Sequence, residues 1–219
     1  KKWISNGLKA KYYLTAVRTG APNSGAKGIS VLIIPKSKNV IVSRITTQGH
    51  KPSETALIIF NNVRVPIKNL VGKENQGFKI IMYNFNSERL LINIHVNALA
   101  KVCFLEAVKY AHERYTFKKP LIKHQVIRHK IAEMGRLILA THCLLEKLCY
   151  RMNVDPLGRN DTSLGSNVAL CKVQCTKTLE FVARESSQIL GGASYVIGKK
   201  IERIYREVRG LAIYGGSEE

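Results

Sequence analysis

Acidic side chains are scarce in this sequence. Fifteen Asp and Glu stand against 35 Lys and Arg in 219 residues, a net charge of +20. Aromatics reach only 7%, with a single Trp. The charge imbalance points to a partner bearing negative charge: nucleic acid, an anionic membrane surface or a phosphate-bearing small molecule. No uninterrupted apolar run approaches the ~20 residues of a membrane-spanning helix. There is no internal repeat or low-complexity tract, which excludes a collagen-like chain, and 45% apolar with 23% charged residues is globular rather than disordered composition. The chain starts at Lys1 with neither Met nor a signal-like segment, and so reads as a fragment or a processed product. Its five cysteines are odd in number and lie in helix-like apolar surroundings, which reads as buried, reduced thiols. Cys171 and Cys175 fall on one helix face, but no His or third Cys lies close enough in sequence to complete a metal site.

What is present changes character along the chain. Residues 1–75 hold 13 basic and 2 acidic side chains, and are rich in Val, Ile, Tyr and Thr. Lys11–Arg18, Ile29–Pro35 and Thr55–Val65 read as strands, separated by Gly/Pro/Asn/Ser turns. No helix long enough for a parallel crossover lies between them, so the sheet is expected to be antiparallel. From about Gln76 the apolar period lengthens, as in Ile127, Ile131, Met134 and Ile138. Helices are expected near 76–115, 124–153, 165–190 and 199–211, broken near Phe117–Pro120, Asp155–Gly165 and Gly191–Gly198. The expected fold is α+β: a small antiparallel β-barrel or sandwich over 1–72, then an antiparallel four-helix bundle over 73–219.

The first helix carries an anomaly. Ile81, Phe85, Glu88, Ile92, His95 and Leu99 step by fours and threes and so share one face, which is apolar except at Glu88 and His95. A glutamate on a core-facing stripe loses hydration, which raises its pKa toward what a general base needs. A structural ion pair explains the same placement, and a hydrogen-bonded core histidine explains His95. Elsewhere, Gly191 and Gly192 after Gln188-Ile189-Leu190 let backbone approach a ligand or simply cap a helix. Arg114-Tyr115-Thr116-Phe117 offers a guanidinium and a hydroxyl suited to phosphate, or a salt bridge. Trp3 and Ser5, in a strand, point to one face, suited to a flat polar ring or to half-buried packing.

Taken in order, these segments resemble the acyl-CoA dehydrogenase family over nearly the whole chain. Lys2-Trp3-Ile4-Ser5-Asn6-Gly7 resembles its K-x-W-I-[TS]-N-G strand. Phe60–Pro66 with Asn69–Gly72 resembles F-x-x-V-x-V-P…N-x-x-G, and Gly77-Phe78 and Glu88-Arg89 its first C-terminal helix. Glu113–Phe117 with His124-Gln125 resembles E-R-x-x-F-G-K…H-Q, Gln188–Gly192 resembles Q-x-x-G-G, and Tyr214–Glu218 the terminal stretch. Two departures stand out: Phe117-Lys118-Lys119 replaces F-G-K, and Gly49–Thr55 reads G-H-K-P-S-E-T for G-W-x-x-S-D-T.

The resemblance implies a middle β-domain and a C-terminal helical bundle, with the N-terminal helical domain absent. It implies FAD as cofactor and an acyl-CoA substrate, dehydrogenated at Cα–Cβ by proton abstraction and hydride transfer, as in fatty-acid β-oxidation. Electron-transfer flavoprotein or oxygen is the implied acceptor, and a homodimer or homotetramer the implied assembly. The compartment is mitochondrial or peroxisomal in a eukaryote and cytoplasmic in a bacterium. By the same matching, Trp3, Ile4, Ser5, Arg114, Tyr115, Thr116, Phe117, His124, Gln125, Gln188, Ile189, Leu190, Gly191, Gly192, Ser217, Glu218 and Glu219 contact FAD. Asn86, Arg89 and Gly216 border the substrate. The commoner base position is Gly215, which accepts no proton, whereas the alternative position, directly before the arginine, is Glu88. Glu88 is therefore the expected base. Two other readings belong to the same fold: a DNA-binding relative, for which +20 speaks but no nucleic-acid motif does, and a catalytically inactive flavoprotein.

Overall fold

The structure, a computed structural model, describes residues 1–156, 161 and 163–218. They divide into two compact units, Lys1–Phe85 and Asn86–Glu219.

In the first unit, β1 (Tyr12–Arg18), β2 (Ile29–Pro35) and the two-residue β5 (Leu70–Val71) form one antiparallel sheet in the order β1-β2-β5. A second sheet pairs β3 (Val40–Arg44) with β4 (Ala56–Phe60), also antiparallel. Tyr13, Ile34, Val40, Ala56 and Ile58 are buried together, so the inward residues of both sheets share one core. The expectation of a barrel is corrected. Among the described residues no ladder joins the two sheets, so the ring does not close. β3 went unread in the sequence because its five residues follow directly on the polar turn Lys36–Asn39. The predicted strand over 55–65 stops at Phe60, where Asn61 donates to Asn39 O and Asn62 turns left-handed at φ 50°. The predicted strand at Lys2–Gly7 reduces to a single bridge between Ile4 and Ala56, because Trp3 (φ 64°) and Asn6 (φ 57°) both adopt left-handed backbone.

Among the described residues four α-helices follow: α1 (Gly77–Glu113), α2 (Gln125–Val154), α3 (Leu164–Leu190) and α4 (Lys200–Ile213). Side-chain contacts fix their directions. Asn97 meets His142, and Gly135 faces Phe104, so α1 and α2 are antiparallel. Thr141 meets Thr178 and Lys130 meets Glu185, so α2 and α3 are antiparallel. Lys200 meets Glu106 and Arg89 reaches Gly215, so α4 returns along α1. One core cluster draws on all four, with Val96, Met134, Leu179 and Ile204 among its fully or nearly fully buried members.

The face that α1 buries is not the predicted one. Asn93, Val96, Asn97, Ala100, Cys103, Ala107 and Ala111 point inward, whereas Glu88 and His95 are exposed. Two stripes at helical spacing lie about 100° apart on one helix. The stripe of small residues is buried here because it lets the neighbouring helices approach closely. Asn93 donates to Val168 O across that interface (3.4 Å). α1 also contains an 18-residue window of mean hydropathy 1.5, apolar enough to cross a membrane by length and composition. Its small-residue stripe lies in the core of the bundle, while Leu91, Ile94 and Leu105 are exposed.

Three cysteines, Cys103, Cys171 and Cys175, are buried, while Cys149 is half-buried and Cys143 exposed. Cys171 and Cys175 do share a face, with sulfurs 3.8 Å apart. Burial pushes the Cys103 thiol up to about 12. The hydrogen bond with Cys171, and burial, push the Cys175 thiol up as well.

Candidate active site

Arg89, the residue directly after the candidate base Glu88, meets the tail that follows α4. Arg89 Nε donates to Gly215 O at 2.7 Å. Gly215 sits at φ +70°, where a Cβ would come within 2.9 Å of Ile92 Cδ1 and 3.4 Å of Arg89 Cγ. A side chain at this position would meet both left-handed strain and crowding. Glycine at 215 is thus suited to its local geometry. Gly216 follows at φ +106°. Glu88 precedes Arg89 on α1 and is exposed, so it reaches the surface beside the residue that holds the tail. Asn86, one turn earlier, is half-buried with its amide 3.3 Å from a Cβ built on Gly165.

Sequence reading missed the other side of this cluster. Lys172 on α3 is only 2% exposed. Its ammonium donates to Ala212 O, at the C-terminal end of α4, and to Gly216 O at 2.7 Å. Burial lowers its pKa; Glu218 opposes that shift, while Arg89 and Arg209 add to it. Thr176, one turn further on, donates to Glu218 Oε1 (3.2 Å). A lysine and a threonine four apart within a helix carry no signal in one sequence. Their role depends on where the tail returns. Ser217 is exposed, and Glu219 lies outside the described residues.

The second group of predicted residues occupies the opposite end of the bundle, where α1 and α3 finish and α2 begins. Thr116 Oγ1 and His124 Nε2 lie 3.1 Å apart, and the Phe117 ring meets His124 edge-on at 6.2 Å. Arg114, Tyr115, Gln125 and Gln188 are exposed around them. At the end of α3, Gly191 (φ +57°) and Gly192 have nothing within 4 Å of a built Cβ, so backbone there is open to a ligand. Ser194 steadies that turn by donating to Ser187 O and Gly191 O. Ile189 and Leu190 turn their side chains into the bundle core, leaving only backbone to offer. A guanidinium, a hydroxyl, an imidazole and an open glycine turn fit a phosphate-bearing dinucleotide such as FAD. In the first unit, Trp3 is 62% exposed with Lys2 Nζ 4.7 Å over its ring, Ile4 is half-buried and Ser5 exposed.

The altered F-G-K motif has a structural consequence. β6 (Tyr115–Thr116) and β7 (Lys119–Pro120) are joined by Phe117 and Lys118, both at positive φ (49° and 64°). Such two-residue turns favour Asn-Gly. Lys118→Gly is expected to stabilise the protein by about 1 kcal/mol through relief of left-handed strain. Chemical denaturation at matched slope measures it, and a loss of stability excludes strain at this turn.

A β-domain and an up-and-down helical bundle, with a glycine tail held by an arginine that follows a glutamate, agree with the acyl-CoA dehydrogenase resemblance of the sequence. The comparisons agree. The family described as acyl-CoA dehydrogenase, C-terminal domain, matches residues 75–219, so this chain belongs to the acyl-CoA dehydrogenase family. Acyl-CoA dehydrogenase AFT10-1 of Alternaria alternata is 42% identical over the full chain, which covers 52% of that protein. Acyl-CoA dehydrogenase apdG of Emericella nidulans is 36% identical, with 51% covered. A probable acyl-CoA dehydrogenase structure from Mycobacterium abscessus superposes at a TM-score of 0.91 with 39% identity, the chain covering 56% of it. Butyryl-CoA dehydrogenase from Megasphaera elsdenii gives 0.89 at 28%, also with 56% covered. The chain therefore spans about half the length of the relatives it matches.

Proposed function

We propose that the complete protein oxidises an acyl-CoA thioester to the α,β-unsaturated product, with Glu88 as the base. The observation that carries this reading is that Arg89, directly after Glu88, holds the Gly215-Gly216 tail, which has a glycine where the commoner base would stand. The Glu88 carboxylate takes the α-proton, and Arg89 keeps the tail seated while it does so. The chemistry that FAD would supply here is acceptance of the β-hydrogen as hydride. Arg114, Thr116, His124 and the Gly191-Gly192 backbone would hold its phosphate-bearing part.

Arg89 and Glu113 are 24 residues apart on α1, about 36 Å at 1.5 Å per residue. That separation favours a homo-oligomer in which one copy's Arg114 segment serves a neighbour's cofactor. The basic surface suits CoA phosphates and an acidic electron acceptor such as electron-transfer flavoprotein.

The test is anaerobic titration of the full-length flavoprotein with a series of acyl-CoA chain lengths. Loss of the oxidised-flavin absorbance is expected with at least one of them. Retention of the oxidised spectrum with every thioester rejects the reaction.

A further inference from the structure

The tail makes its two strongest contacts through consecutive carbonyls: Gly215 O accepts from Arg89 Nε and Gly216 O accepts from Lys172 Nζ, each at 2.7 Å. A peptide group is planar, so fixing a carbonyl also fixes the N–H on its other side. Two successive peptide planes of the tail are therefore oriented by two cations, one on α1 and one on α3. Glycines at φ +70° and +106° have little intrinsic preference of their own, so the orientation comes from the clamp. Lys172 adds a third hold through Ala212 O, one of the carbonyls that a helix leaves without an intrahelical partner at its C-terminal end. Thr176 ties Glu218 from the same helix.

A buried ammonium is costly, and a packed apolar side chain of similar length commonly stabilises a core better. The lysine therefore needs a reason other than packing. We infer that Lys172 is a positioning residue for the reaction: it sets the tail geometry through which this chain meets flavin and thioester. This inference rests on the function proposed above. It extends that proposal to a residue on a different helix from Glu88, one that acts through the tail.

The experiment compares wild-type full-length flavoprotein with Lys172→Met, which keeps the stem and removes the donors, and with Lys172→Arg, which keeps a cation. Lys177→Met, an exposed change on the same helix, serves as control. Two readouts are taken: amide hydrogen exchange over Ile213–Glu218, and the limiting rate of flavin reduction separately from the substrate concentration that half-saturates it.

For Lys172→Met, tail exchange is expected to rise about tenfold, as for loss of a hydrogen bond to a charged group. The limiting rate is expected to fall roughly 10²-fold, the scale of a misplacement near 1 Å, with half-saturation little changed. Lys172→Arg should recover part of both, and Lys177→Met should alter neither. Unchanged tail exchange, or a limiting rate within threefold of wild type, overturns the inference. If Lys172→Met does not fold, Thr176→Val decides: it must loosen the tail and slow reduction to a smaller degree, and no change in either overturns the inference. A wild-type protein that reduces no flavin rejects the proposed reaction alone, and the exchange comparison still decides whether Lys172 holds the tail.

Discussion

Glu88→Gln in the full-length flavoprotein is expected to lower the rate of acyl-CoA-driven flavin reduction by about 10³-fold or more, in the range lost when a general base is removed. That corresponds to about 4 kcal/mol in the barrier. Glutamine keeps the size of the side chain and its hydrogen-bonding reach but accepts no proton at the pH of the assay. Flavin content should stay the same, because Arg114, Thr116, His124 and the Gly191-Gly192 turn lie at the other end of the bundle. Arg89 should go on holding Gly215, since its bond to the tail does not involve Glu88. Stopped-flow absorbance of the flavin measures the rate, and turnover near that of wild type would remove Glu88 from the mechanism. Moving the carboxylate to the tail with Gly215→Glu is not expected to rescue the variant. The new side chain would have to adopt φ +70° with Ile92 Cδ1 2.9 Å from its Cβ.

The largest expected effect on stability is at Leu179. This side chain is fully buried in the middle of α3, within the cluster that all four helices share. Leu179→Ala removes apolar contacts and leaves a cavity that close-packed neighbours fill only in part. A loss of about 3 kcal/mol is expected. The helical transition followed by circular dichroism should then fall by roughly 6–12 °C. A drop of only a degree or two would mean that α3 does not run through the centre of a packed bundle.

Much of the fold was legible because its local signals are strong. Runs rich in Val, Ile, Tyr and Thr marked β1 and β2, and the three-and-four spacing marked all four helices to within two residues at each end. The motifs around Glu88-Arg89, Arg114–Phe117 and Gln188–Gly192 were legible as well, since each is a short run of residues with its own chemistry. β3 was not, because five residues between polar turns carry little periodic signal until β4 pairs with them.

The inward face of α1 was the clearest misreading. Period alone yields several stripes on a long apolar helix, and it does not say which one the neighbours touch. The stripe through Ile81, Phe85, Ile92 and Leu99 carried the larger side chains, but the buried one carries Ala100, Cys103, Ala107 and Ala111. Glu88 accordingly stands at the surface, and its proposed role as base rests on its place directly before Arg89, which holds the tail, instead of on burial.

Sequence by itself determined that strands precede helices, where the four long helices lie, and the family, because these depend on local patterns and on short motifs read in register. Tertiary structure alone decided that the sheets do not close, which stripe of α1 faces inward, and that Lys172 and Thr176 grip the tail. Those outcomes depend on contacts between residues far apart in the chain. Lys172 and Gly216 are separated by 44 positions, and only the return of α4 along α3 brings an ammonium and a carbonyl to 2.7 Å.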